Sequence, residues 1–169
     1  MGYNQKISEK QHSLQSLLPL VEAWRAQGET IVFTNGCFDL LHLGHVDYLS
    51  RAADLGTKLV VAVNSDASVR ALKGASRPLQ DERSRLALLS ALECVAAVFV
   101  FEEATPLLCI KAILPHILVK GADYKTEDIV GADVVLQHGG SVQTVALVQG
   151  YSTTLIEQKV AANLRPNLL

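Results

Sequence analysis

The chain has 169 residues and 18.2 kDa, enough for one domain with a sizeable core; 49% of it is apolar and only 5% aromatic, so Leu, Val and Ala build that core and disorder is excluded. A formal charge of −2 gives no overall field for nucleic acid or an anionic membrane, so an anionic ligand must be held by local groups. No apolar run approaches the ~20 residues that cross a bilayer, and "MGYNQK" at the N-terminus lacks the apolar core of a signal peptide, which predicts a cytoplasmic protein.

Residues 1–12 are polar and read as loose. Leu14, Leu17, Leu18, Val21 and Trp24 then recur at helical spacing up to Gly28, with Pro19 expected to kink or start that helix. "TIVFTN" (30–35) reads as a strand ending in a turn, "VDYLSRAADLG" (46–56) as a helix closed by Gly56, and "KLVVAVNSD" (58–66) as a strand without polar alternation, as in a parallel sheet covered on both faces. "RALKGASRPLQ" (70–80) lacks an apolar pattern, carries Arg70, Lys73 and Arg77, and reads as a mobile basic loop. A helix over 81–95, a strand over 97–101, a helix over 105–114 and a strand over 117–121 follow. A short helix over 131–138, a strand over 141–147 and a helix over 152–164 capped by Ser152 or Thr153 complete the chain. The alternation predicts a single α/β domain: a Rossmann-like, doubly wound, parallel five-stranded sheet over 29–164, preceded by a polar tail and helix (1–28) and followed by a tail (165–169).

"TNGCFDLLHLGH" (34–45) follows the first of these strands, where ligands of open parallel sheets sit. His42 and His45, at i and i+3, project from the first turn of the next helix, whose free N–H groups favour a phosphate, and Gly44 keeps a side chain out of the way. Three other readings of the stretch stand beside this one: exposed surface histidines, a zinc site from Cys37, His42 and His45, and Cys37 as a nucleophile with a histidine base. Cys37, Cys94 and Cys109 are an odd number without CxxC spacing, which fits a reducing compartment. A second phosphate-type signal is "GYSTT" (150–154), where Ser152, Thr153 and Thr154 open a helix after a glycine; its plainer reading is an ordinary cap.

Together with "VAVNSDASVRALKG", "RP", "LVKGADY" and "IVGADVV", these stretches make the chain resemble, over nearly all of 30–160, the nucleotidylyltransferases with an HxGH signature, here His42-Leu43-Gly44-His45. Within them it is most similar to the adenylyltransferases acting on D-glycero-β-D-manno-heptose 1-phosphate, in a stand-alone form. The resemblance implies in-line attack of the sugar phosphate on the α-phosphorus of ATP, giving ADP-heptose and pyrophosphate, with Mg²⁺ carried by the phosphates and no protein metal ligand. It implies ATP phosphates near Cys37, Phe38 and Gly44, His42 and His45 on the reacting phosphate, Ser152, Thr153 and Thr154 on the polyphosphate tail, and Asp123 near the adenosine. Lys73 and Arg85 fall where the family places phosphate-holding cations. Lys120 and Lys125 read as solvated lysines, and Asp39 as turn chemistry or an orienter of a histidine. Leu147 stands where CTP-using relatives carry arginine, which argues for ATP. The alternatives are a sister enzyme (a glycerol-3-phosphate or phosphoethanolamine cytidylyltransferase, or an FAD synthetase) and a nucleotide-binding module without catalysis. The partners implied are small molecules and a second copy in a homodimer.

Overall fold

In the computed structural model, which describes residues 2–164, helices and strands follow in the order α1 (Tyr3–Glu9), β1 (Gln11–His12), α2 (Leu14–Ala26), β2 (Ile31–Gly36), α3 (Leu43–Ala53), β3 (Lys58–Asn64), α4 (Asp66–Lys73) and α5 (Glu82–Ser90). They continue with β4 (Ala97–Phe101), α6 (Leu107–Ile113), β5 (Ile117–Gly121), a 3-10 turn (Thr126–Asp128), α7 (Ala132–Gln137), β6 (Ser141–Val145) and α8 (Thr153–Leu164). The tail expected at 165–169 lies outside the described residues.

The strands form one parallel sheet of six in the order β1-β4-β3-β2-β5-β6. Five are those expected from the apolar runs; the sixth, β1, comes from the segment that reads as loose. Its pairing uses backbone and a lysine rather than apolar side chains: the Val98 amide donates to Lys10 O at 2.8 Å and Lys10 Nζ to Leu92 O at 2.9 Å. Hydrophobic periodicity carries no trace of such an edge strand. Likewise α2 does not start at Pro19. Ser13 and Ser16 form a reciprocal capping box and the helix runs on through the proline, held by the buried Leu17 and Val21.

Alternate residues of each strand feed two cores, as the two-residue period of a strand requires. Ile31, Phe33, Val60, Ala62 and Phe99 pack under α2, α6 and α7, while Val32, Val61, Val63, Val98 and Val119 pack under α3 and α5. From β2 the winding runs through β3 to β4 on one side and through β5 to β6 on the other, so the order reverses between β2 and β5. That is the place where a doubly wound sheet opens a ligand crevice. The opening is visible in the register: β2 pairs with β3 along its whole length, from Ile31↔Lys58 to Gly36↔Val63, but with β5 only at Val32↔Ile117 and Phe33↔Leu118. Beyond those pairs the strands part, and the Tyr48 hydroxyl fills the gap, 2.7 Å from Thr34 Oγ1 and donating to Val119 O at 3.2 Å.

Candidate active site

The histidine pair sits at the head of α3. His42 is the cap: its Nδ1 accepts the His45 backbone N–H at 3.3 Å. With Nδ1 committed as acceptor, the neutral ring carries its proton on Nε2, which is therefore a donor. The His45 ring stacks on that of His42 with centroids 3.8 Å apart and planes 19° from parallel, and the Phe38 ring meets His45 edge-on at 5.2 Å. Phe38 holds φ at +48°, a left-handed conformation that non-glycine residues rarely adopt outside constrained sites. Gly44 serves the imidazole more directly than the phosphate: a Cβ there would stand 3.1 Å from His42 Cε1 and Nδ1 and 3.3 Å from Tyr151 Cβ.

Burial, with His42 close by, pulls the His45 pKa down to about 4, and burial lowers that of His42. Both rings are thus neutral donors near pH 7. Because His45 titrates lower in the folded chain than in the unfolded one, the unfolded state takes up its proton first as the pH drops. The His45 contribution to stability is therefore complete above about pH 6.5 and lost as the pH falls toward 4. Thermal melts of the ligand-free chain should show Tm falling across that window, and His45→Gln should flatten the fall; a variant as pH-sensitive as the parent would contradict it.

The loop carrying the pair is clamped from behind. Asp39, 1% exposed, accepts the Leu79 and Gln80 amides at 2.8 and 3.0 Å and Arg77 Nη1 at 2.8 Å. Burial alone would raise its pKa, but the Gln80 amide, the Arg77 guanidinium and the Leu79 amide together hold it below the usual carboxylate range. Arg77 also pairs with Glu157 of α8. The segment expected to be a mobile basic loop is therefore half helix, since α4 runs to Lys73 from its Ser65 cap, and half anchored by Arg77. Asp39 is a tie between loops and makes no bond to either histidine. Arg85, expected on phosphate, is fully buried, with Nε on Gln80 O at 3.1 Å, Nη1 on Cys37 O at 2.7 Å and Nη2 on Asp66 Oδ1 at 2.7 Å. It stands outside the cavity and shapes its floor.

A cavity of about 440 Å³ opens where β2 and β5 part. It brings together Cys37, Phe38, His42, Gly44, His45, Lys73, Asp123, Ser152, Thr153 and Thr154, that is, every expected site residue except Arg85. Ser152 is the α8 cap, its Oγ accepting the Leu155 amide at 3.1 Å. The Asp123 carboxylate folds over Gly121, where a Cβ would collide with Oδ1. Burial pushes the Cys37 thiol pKa up despite Lys73 and Arg85, which disfavours a nucleophilic thiolate. No three His, Cys, Asp or Glu side chains converge as a metal-ligating group among the described residues, so the zinc reading of Cys37 with the two histidines has no ligand set there.

Lys120 is the residue that the sequence reading misplaced. It is no solvated lysine: its ammonium lies in the split between β5 and β2, donating to Asn35 Oδ1 and, at 3.4 Å, to Asn35 O, and burial pulls its pKa down to about 8. Its place one residue before Gly121 at the end of an apolar strand was the available signal. Lys125, by contrast, is exposed.

The profile of cytidylyltransferase-like proteins matches residues 33–159, from the middle of β2 into α8. The chain belongs to that family. Membership of it makes the chain a nucleotidyltransferase. The chain is 54% identical over 147 residues to the bifunctional protein HldE of Azorhizobium caulinodans, covering 87% of this chain and 31% of that one. It is 51% identical over 161 residues to HldE of Geobacter metallireducens, covering 95% and 33%. The chain thus spans about a third of the length of these relatives. The crystal structure of a lipopolysaccharide core biosynthesis protein from Thermoplasma volcanium superposes with a TM-score of 0.58 at 33% identity, covering 74% of this chain and all of that one. No described helix of this family member is long and apolar enough to cross a membrane.

Proposed function

We propose that residues 29–164 transfer the adenylyl group of ATP to D-glycero-β-D-manno-heptose 1-phosphate, releasing pyrophosphate and giving ADP-heptose. The observation that carries this reading is the stacked His42–His45 pair at the head of α3, facing the same cavity as the hydroxyls of Ser152, Thr153 and Thr154. It is further supported by the bifunctional HldE relatives and the lipopolysaccharide core biosynthesis neighbour.

The acceptor phosphate is already an anion, so attack on the α-phosphorus needs positioning and charge neutralisation rather than a general base. In this reading His42, through Nε2–H, and His45 donate to the non-bridging oxygens of the reacting phosphorus. The opening turn of α8 holds the β- and γ-phosphates as they leave, and the Lys73 ammonium offsets the charge they carry. Mg²⁺ would neutralise the triphosphate and orient it; with Asp39 committed to Arg77 and two amides, the fitting arrangement is a metal held by the phosphates and water.

The test is pyrophosphate release from ATP with the heptose 1-phosphate, run beside other sugar phosphates, glycerol 3-phosphate and phosphoethanolamine. Release with the heptose compound alone is expected; a higher kcat/KM with another acceptor would replace it. Leu147 lines the cavity where CTP-using relatives place arginine, so ATP should be used with a higher kcat/KM than CTP. Equal rates with CTP would leave the base preference to other residues.

A further inference from the structure

The groups proposed to meet the triphosphate come from three segments far apart in the chain: His42 and His45 at the head of α3, Lys73 in the last turn of α4, and Ser152, Thr153 and Thr154 at the head of α8. Two of these helices are anchored by their own side chains, since α3 buries Tyr48, Leu49 and Ala52 and α4 buries Val69. α8 is different: none of its residues is buried, and Leu155, Val160 and Leu164 are exposed. Thr153, Ile156 and Glu157, one turn apart, are half-buried on its inner side. A helix with so little apolar burial has little of its own to fix its place over the cavity.

A single guanidinium supplies the tie. Among the hydrogen bonds of the described residues, the one from Arg77 Nη2 to Glu157 Oε2 is the one that joins α8 to the rest of the chain. The other arm of the same fork, Nη1, donates at 2.8 Å to Oδ2 of Asp39, three residues before His42. The Arg77 amide closes a turn on Gly74 O at 3.1 Å, directly after Lys73. Arg77 therefore sits where the three segments meet. It lines neither the site cavity nor a second one of about 430 Å³ that adjoins it at Lys73 and Lys120. The two arms are unequal: the Asp39 side chain is wholly enclosed and that of Arg77 only 10% exposed, whereas the Glu157 side chain is 37% exposed. The arm to the histidine loop is thus the firm one, and the arm to α8, within reach of water and salt, is the one that can release. A planar, two-armed donor sets distance and angle for both partners together, which a point charge does not.

We propose that Arg77 is a positioning residue: by bridging Asp39 and Glu157 it holds the hydroxyl-bearing head of α8 in place opposite His42 and His45, so that the polyphosphate tail and the reacting phosphorus are gripped in one alignment. The proposal rests on the adenylyl-transfer reading for what α8 holds and adds to it the residue that sets where α8 stands.

The test uses the intact chain with Glu157→Ala, Glu157→Gln and Arg77→Lys. Alanine at 157 removes the arm without loss of helix propensity, so that variant should melt close to the parent. Kd is measured by calorimetry for ATP and for AMP, which has no β- and γ-phosphates for α8 to hold. Glu157→Ala should weaken ATP about fivefold and leave AMP within about twofold. Glu157→Gln, which keeps an acceptor for the guanidinium, should lose less. Arg77→Lys keeps a charge against Asp39 but cannot span both carboxylates, so it should also weaken ATP more than AMP. Adding Glu157→Ala to it should then change little, because the arm is already gone. Parental ATP affinity in both Glu157→Ala and Arg77→Lys, or equal weakening of ATP and AMP, would overturn the positioning role. A parent chain that releases no pyrophosphate with any acceptor, but loses ATP selectively on Glu157→Ala, would sink adenylyl transfer and keep the role of Arg77. Pyrophosphate release with an ATP KM indifferent to Glu157→Ala would keep the reaction and remove Arg77 from it.

Discussion

Replacing His42 or His45 by alanine is expected to lower the turnover number ~10²-fold or more while ATP affinity stays within about tenfold. The proposed donors meet charge that grows on the phosphorus in the transition state, so their worth shows in kcat more than in ground-state binding. His42 does a second job, because its Nδ1 caps α3. His42→Asn separates the two: asparagine is a strong cap but places no imidazole over the cavity. The asparagine variant should therefore melt near wild type and still turn over slowly. Cys37→Ser should remain active, because the half-buried thiol has a raised pKa and no place in the proposed chemistry. Near-normal turnover in both alanine variants would remove the histidines from the mechanism, and a Cys37→Ser variant as damaged as either would bring the nucleophile back.

Removing Arg85 should act on the fold more than on the phosphates. Its guanidinium is wholly buried and bridges three parts of the chain: Cys37 O in the β2–α3 loop, Gln80 O before α5 and the Asp66 carboxylate at the head of α4. Arg85→Met keeps much of the volume but leaves two carbonyls and a carboxylate without their donor. Only the arginine is fully enclosed, and the Asp66 carboxylate keeps access to water, so the loss is that of charged hydrogen bonds, ~1.5–3 kcal/mol, which at this chain length lowers Tm by roughly 3–12 °C. Any loss of ATP affinity should follow from a loosened Cys37–Phe38 floor and accompany the loss of Tm. A variant that melts like wild type yet binds ATP poorly would return Arg85 to the phosphates. The comparison with Lys73→Ala is informative: Lys73 faces the cavity with no hydrogen bond to the chain among those described, so its loss should change kinetics with little change in Tm.

The amino-acid sequence by itself determined the parallel α/β fold, because strands buried on both faces must be continuous apolar runs and the helices between them show their own period and caps. It also brings together most of the candidate site: His42, Gly44 and His45 lie within one helical turn, as do Ser152, Thr153 and Thr154, so their proximity is a local property of the chain. Only the tertiary structure decided the rest. Arg77 and Asp39 are 38 residues apart, Arg85 and Cys37 are 48 apart, and Lys120 and Asn35 are 85 apart. Beyond the place of Lys120 at the end of an apolar strand, no local pattern distinguishes a lysine or arginine bound for solvent from one bound for a buried carbonyl. The edge strand β1 escaped for the related reason that backbone pairing leaves no mark on side-chain periodicity. The parting of β2 from β5 places Lys120 between two cavities, while Arg85, a candidate phosphate cation, is enclosed as a support and Asp39 ties loops rather than orienting a histidine, because it is the packing of distant segments that determines which charges face the crevice and which are enclosed behind it.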